Sequence, residues 1–346
     1  MSELQAWLDQ PSVTIVAIGA LVGIAASLLG TFLVLRRESM LSDAISHSVL
    51  LGIVVAYLLT GTLDTPLHVI GAALAGLATV WLTDLLARSR RVKNDAAIGL
   101  VFPALFALAV LLINLYARDV HLDTDAVLLG EIAFAWLDVV NLGQLEVARS
   151  LLTMLVIALV NLAFVVFLYK ELKLSTFDPQ LAMAFGLRPV AIGYALLGLV
   201  SVSAVGAFDA VGAILFVAFV IVPPTAAYLL TDRLWWMLTI GCMIAIGASF
   251  AGYAFARAFD VSIGGAMASA TGGFLLLALT FGKHGLIARG WRQRAPAAPP
   301  LPDFGAVSTG PAGGGGVSGH GVGGGAGQAV SGVPRAQVEA PSAASR

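Results

Sequence analysis

The 346 residues are 59% hydrophobic and 11% charged, with a formal net charge of −1 and a mean hydropathy of +0.93. A soluble domain carries about 25% charged residues, so this balance excludes an ordinary soluble protein and indicates a polytopic membrane protein. The lone Cys242 lies in an apolar run, which excludes an internal disulfide and any thiolate cluster, and no nucleic-acid partner is expected.

Apolar runs near 20 residues long predict spans at 12–35, 42–60, 67–87, 96–117, 150–170, 188–206, 208–231, 234–256 and 262–282. The expected fold is an all-α polytopic membrane bundle of about nine transmembrane helices, with eight as the alternative. The amino-terminal MSELQAWLDQPS is acidic and lacks the basic stretch of a cleavable signal, so the first span is expected to be retained.

The second span departs from the rest. Residues 36–52, RRESMLSDAISHSVLLG, send an acid, serines and a histidine into an apolar segment. Asp43 and His47 are four apart, which in a helix puts them on one face, one turn apart. A central aspartate costs roughly 2.5–3.5 kcal/mol to insert, which makes such residues functional candidates. An oxygen and an imidazole at this spacing suit a borderline or hard divalent ion such as zinc or manganese. Two structural alternatives stand beside that reading: Asp43 as the helix N-cap, and His47 as a satisfied bundle histidine.

A tenth stretch, AVLLGEIAFAWLDVVNL at 126–142, is interrupted by Glu131 and Asp138. It is expected to be re-entrant or interfacial, because polar positions need protein or water around them. Just before it, RDVHLDTD offers Asp119, His121, Asp123 and Asp125, either as a cation-attracting mouth of a pathway or as a solvated acidic loop.

Residues 170–189, KELKLSTFDPQLAMAFGLRP, encode a short helix with both ends defined. Asp178 is placed to N-cap, Pro179 suits the first position, and Gly186 suits the stop. Such a helix between two spans reads as a docking element. Pro223 and Pro224 interrupt a later span and predict a kink there. The segment 291–346 is Pro- and Gly-rich, cannot bury a core, and is expected to be a disordered tail beside a permease domain at 1–290.

With the amino terminus outside, Arg36, Arg37, Arg88, Arg90, Arg91, Lys93, Lys170, Lys173, Arg188, Arg233, Lys283, Arg289, Arg292 and Arg294 fall inside. Only Arg118, Arg149 and Arg257 fall outside. This positive-inside bias sets the orientation and puts the tail and the short helix in the cytoplasm.

The run LGTFLVLRRESMLSDAISHSVLLGIVVAYLL at 29–59 resembles the second-span signature of the zinc, manganese and iron branch of ABC-importer permeases. KELKLSTFDPQLAMAFGL resembles that family's cytoplasmic loop. The stretches at 210–238 and 259–286 are similar, more weakly, to its proline-containing segment and its last span. The resemblance implies an integral inner-membrane permease that works as a homodimer and docks ABC-type ATPase subunits. It also implies that an extracytoplasmic metal-binding protein delivers the ion. Asp43 and His47 take the place of the family's translocation ligands. Phe177, Asp178, Pro179, Leu181, Ala182, Ala184 and Gly186 take that of its ATPase-coupling helix. No cofactor is expected to stay bound; the divalent metal is cargo. Tyr228, where a basic residue is usual, Ser262, where a proline is common, and the Gly-rich tail depart from the pattern.

The chain contains no G-x-x-x-x-G-K-[ST] phosphate loop, so ATP hydrolysis is expected in a partner rather than in this chain. Two alternatives remain at this level: a metal transporter driven by an ion gradient, and an intramembrane enzyme built on His47 with Ser249, or on Asp43 with Asp209.

Overall fold

A computed structural model of the chain describes residues 10–61, 66–89, 91–116, 132–142 and 145–283. The acidic cluster at 119–125 and the tail at 291–346 lie outside the described residues. Nine helices among those described are long and apolar enough to cross a membrane. They are α1 (Pro11–Arg36), α2 (Ser39–Thr60), α3 (Pro66–Arg88), α4 (Asn94–Tyr116), α5 (Arg149–Phe167), α8 (Pro189–Val211), α9 (Ala213–Leu230), α10 (Leu234–Phe259) and α11 (Ile263–Phe281). Two short helices, α6 (Tyr169–Phe177) and α7 (Pro179–Ala184), lie between α5 and α8. The chain is a multi-pass membrane protein.

The expected span boundaries hold to within a few residues, with two instructive exceptions. The first is α8, which runs through Gly206 to Val211, and the break falls at Gly212, whose φ of +79° suits a residue without Cβ. Gly206 lies inside the helix, where its missing Cβ leaves room for Ile157 and Met154 of α5. The second is α2, which begins at Ser39 rather than at 42. Here Arg37 adopts the left-handed conformation (φ 61°), and its N–H and that of Glu38 donate to the Val34 and Leu33 carbonyls. That pair of bonds closes a Schellman turn, and the chain reverses at once into α2.

α1 is the most enclosed span, with 72% of its most apolar stretch buried. It packs on α5, α9 and α10, while α2 packs chiefly on α3 and α4, and α8 joins the two groups. Small residues permit the closest crossings: a Cβ on Gly52 would overlap the Gly71 carbonyl, and one on Gly252 would overlap Met267 backbone. The proline pair has a local consequence as well. Pro224 cannot donate to the Val220 carbonyl, and that oxygen instead faces Gly30 of α1, so close that a Cβ there would collide with it. Glycine at position 30 lets the freed carbonyl be covered by backbone, a weak C–H contact in place of the lost bond.

The described part of the stretch read as re-entrant or interfacial is not helical. Turns at 132–137 lead into a two-stranded antiparallel hairpin, β1 (Val139–Leu142) and β2 (Leu145–Ala148), with Val139 opposite Ala148. The hairpin is closed by the Arg149 N–H donating to the Asp138 carbonyl at 2.8 Å and by an Arg149–Asp138 ion pair at 3.4 Å. It is a small β addition to an otherwise helical bundle.

Candidate metal site

The start of α2 at Ser39 decides the first structural alternative. Glu38 occupies the N-cap position and makes no side-chain cap bond, while Asp43 lies more than one turn inside the helix. Asp43 therefore does not cap. At about 1.5 Å per residue, Asp43 and His47 stand roughly 6 and 12 Å along the helix from Ser39, in the half of the span nearer its start.

The two side chains meet. His47 Nε2 lies 3.6 Å from Asp43 Oδ1, and the side chains are 32% and 48% exposed respectively. Two ligands of one ion, each with a bond of about 2.1 Å, sit roughly 3.4 Å apart at the tetrahedral angle and roughly 3.0 Å apart at 90°. The observed separation thus matches two ligands converging on one cation, at the wide end. Both side chains remain partly open, so the pair is available to an ion. An acid exposed on an otherwise apolar helix face must be met by water, a cation or another chain.

The helix is anchored so that this face is fixed. Ser42, Ser46 and Ser48 turn inward and donate to the carbonyls of Ser39, Ser42 and Ile45. The Thr79 hydroxyl of α3 donates to Ser48 at 2.6 Å, tying α2 to its neighbour. Ile45 and Val49 enter the main core. The serines that made the segment look polar are therefore structural, and the aspartate and histidine are the residues left facing outward.

On the other side of His47 stand Phe102 and Phe106 of α4. The imidazole stacks on Phe102 (centroids 5.7 Å apart, planes 25° apart) and meets Phe106 edge-on (6.1 Å, 79°). Sequence reasoning missed both, since the contact depends on how α4 registers against α2. Their spacing of four, which puts both rings on one helical face, was the available signal.

A second unforeseen group is Arg36, at the end of α1. Its guanidinium donates to Ser175 (2.9 Å) and Thr176 (3.2 Å) of α6, and Gly193 of α8 makes room for it. It borders a cavity of about 460 Å³ that Glu38 and Thr176 also line. Burial pushes the Glu38 carboxyl above its usual range, with the nearby Arg36 charge pulling the other way.

The short helix read between Asp178 and Gly186 forms with both ends capped. The Asp178 carboxylate accepts from the Leu181 N–H at 2.9 Å, Pro179 opens α7, and Gly186 takes φ +79°. The N–H groups of Gly186 and Leu187 donate to Met183 and Ala182, a second Schellman stop. Phe177 and Leu181 are exposed, as are Met183 and Phe185, two residues not singled out from sequence. Ala182, expected in the docking set, is fully buried, so its methyl presents no surface to a partner. Ala184 is exposed.

The enzyme alternative gains nothing from this geometry. The Ser249 hydroxyl is buried in α10, donates to the Ala245 carbonyl, and lies beside Gly19 of α1. The Asp209 side chain is outside what is described.

The profile of the ABC 3 transport family matches residues 12–282. The chain belongs to the ABC 3 transport family. Within it, the chain is 49% identical over 259 residues to the manganese transport system membrane protein MntD of Bacillus subtilis, covering 75% of this chain and 88% of that one. It is 48% identical over 282 residues to the zinc transport system membrane protein TroD of Treponema pallidum (81% and 77% covered). It is 32% identical over 280 residues to the chelated iron transport system membrane protein YfeC of Yersinia pestis (80% and 88% covered). Among solved structures it is similar to PsaBC from Streptococcus pneumoniae in complex with Fab, with a TM-score of 0.67 at 26% identity over 82% of this chain and 96% of that one. The ABC 3 match stops at 282, short of the tail, and spans all nine transmembrane helices except the first residue of α1.

Proposed function

We propose that this chain is the membrane-spanning permease subunit of an ATP-driven importer of divalent transition-metal ions, in the class of zinc, manganese or iron. The observation that carries the reading is the Asp43–His47 pair: two ligand atoms 3.6 Å apart on a partly open face of a membrane helix. One chain offers two ligands there, and among the described residues no group of three or more His, Cys, Asp or Glu could hold an ion. A homodimer with the pair at its two-fold axis supplies four nitrogen and oxygen ligands, a set that suits these metals and disfavours copper(I).

ATP hydrolysis then belongs to separate ABC-type subunits, which dock on α7 and its flanks through Phe177 at the end of α6, Leu181 and Met183 on α7, and Phe185 at its C-cap. Closure of the ATPase pair reaches the bundle as a rigid-body switch between outward and inward access. An extracytoplasmic metal-binding protein delivers the ion at the outer face, where Asp119, His121, Asp123 and Asp125 would draw cations toward the path. Residues 291–346 are an appendage that the cycle does not use.

The test is reconstitution in proteoliposomes with and without the partner ATPase. Uptake of zinc or manganese is expected only with both proteins and ATP, and to be insensitive to a proton ionophore. Uptake by the permease alone, driven by a pH gradient, would establish the ion-gradient alternative instead.

A further inference from the structure

The metal-binding reading assigns Asp43 and His47 but leaves open what holds the imidazole in place. We propose that Phe102 and Phe106 of α4 are positioning residues that clamp the His47 ring, and that the clamp sets which coordination geometry the transport pair accepts. The inference rests on the reading of Asp43 and His47 as ion ligands.

A histidine on a helix surface swings about two side-chain torsions, and an i,i+4 aspartate alone does not stop it. Here the ring is confined from two directions at once. Phe102 lies nearly parallel to it, blocking rotation out of the stack, and Phe106 closes the edge. Neither aromatic is itself loose. Phe102 packs against the main core, whereas Phe106 packs in a separate apolar cluster with Leu50, Val54 and Ala109. Leu50 and Val54 belong to α2 itself, so the jaw that holds His47 is fastened to the helix carrying His47. Pro103 sits between the jaws. It denies the Gly99 carbonyl its helical donor, a local weakening that lets Phe102 and Phe106 be set by their contacts rather than by an ideal helix.

Confinement fixes the imidazole end of the bite, and Asp43, 48% exposed, supplies the other. With Nε2 and Oδ1 lying 3.6 Å apart, the pair matches the wide angle of tetrahedral coordination better than the right angle of octahedral coordination, which at equal bond lengths needs roughly 3.0 Å. Zinc accepts the tetrahedral set, while manganese with oxygen-rich ligands favours the octahedral one. Releasing the ring lets it approach Asp43, and this narrows the bite. Loss of the clamp therefore weakens zinc more than manganese, whichever ion the intact protein carries better.

The experiment measures initial rates of zinc and manganese uptake in proteoliposomes holding permease and ATPase, for the intact chain and for Phe102→Leu, Phe102→Tyr and Phe106→Leu. Phe102→Leu keeps apolar bulk and loses the stack. It is expected to raise the half-saturating zinc concentration about tenfold with little change in maximal rate, and to shift the zinc-to-manganese preference toward manganese. Phe102→Tyr retains the stacking face and is expected to behave as the intact chain, while Phe106→Leu shows the same shift in smaller measure. The proposal is overturned if Phe102→Leu and Phe102→Tyr behave alike, or if both leucine variants leave the metal preference unchanged. If Phe102→Leu is not recovered as folded dimer, Phe106→Leu alone decides by the same criterion. Normal transport by Asp43→Ala and His47→Ala run alongside would instead remove the underlying metal reading, a separate outcome.

Discussion

In cells lacking their own importer, Asp43→Ala and His47→Ala should each lower metal uptake by about 100-fold or more. Changes to residues that merely orient a ligand already cost about 10–100-fold in metal affinity or activity. Each substitution here removes a ligand itself, and in a homodimer it removes two of four at once. The geometry explains why neither residue compensates for the other. With Nε2 and Oδ1 3.6 Å apart, each atom completes the other's site, and His47→Ala leaves an aspartate on an apolar helix face with only water to meet it. Folding should be little affected. Asp43 and His47 are half-exposed, and α2 is held by Ile45 and Val49 in the main core and by the Ser48–Thr79 bond. Equal recovery of the variants from membranes, together with lost uptake, is the expected pattern. Matching losses of protein and uptake would mean that the residues are structural.

The second large effect concerns α7. Leu181→Asp or Phe185→Asp should abolish copurification of the ATPase and, with it, ATP-driven uptake. Phe185 is 72% exposed at the C-cap of a helix of six residues whose two ends are both fixed, so the side chain is displayed rather than packed. Anchors of this kind typically contribute about 2 kcal/mol or more to an interface, roughly 30-fold in affinity, and a buried carboxylate adds its own desolvation cost. The matching change at Ala182, whose side chain is fully buried, is expected to fail differently. Ala182→Asp should lower the amount of folded permease, because it places a charge where the methyl is fully enclosed. Surface variants that leave ATPase binding intact would show that α7 is not the docking element. The assay is pull-down of the ATPase by tagged permease in detergent.

Much of this architecture is legible in the sequence because a lipid environment imposes one rule, that apolar runs of about 20 residues become helices. All nine spans follow from it. The capped helix α7 was readable for a different reason: Asp178, Pro179 and Gly186 each satisfy a local backbone requirement that needs no knowledge of neighbours. What could not be read rests either on weak local signals or on contacts distant in sequence. The true start of α2 is set by Arg37 in a left-handed turn, and polar Ser39 and Ser42 disguised it as loop. The hairpin at 139–148 was hidden because Val139, Val140 and Leu142 raise hydropathy in the same way as helical residues do, and four-residue strands leave little alternation to detect. Gly30 reads as one more packing glycine, and only the fold pairs it with the carbonyl that Pro224 frees. The Phe102–His47 stack and the Arg36 bonds to Ser175 and Thr176 join segments 55 to 140 residues apart, across helix faces whose register no local pattern fixes.

The central claim is that Asp43 and His47 of two chains share one transported ion. Its most direct test is equilibrium zinc binding to the purified permease, with X-ray absorption on the bound ion. The account predicts one tightly held zinc per two chains, surrounded only by nitrogen and oxygen at about 2.0–2.2 Å, and none in the Asp43→Ala/His47→Ala double variant. A double variant that still binds zinc with the same stoichiometry and the same shell would contradict it.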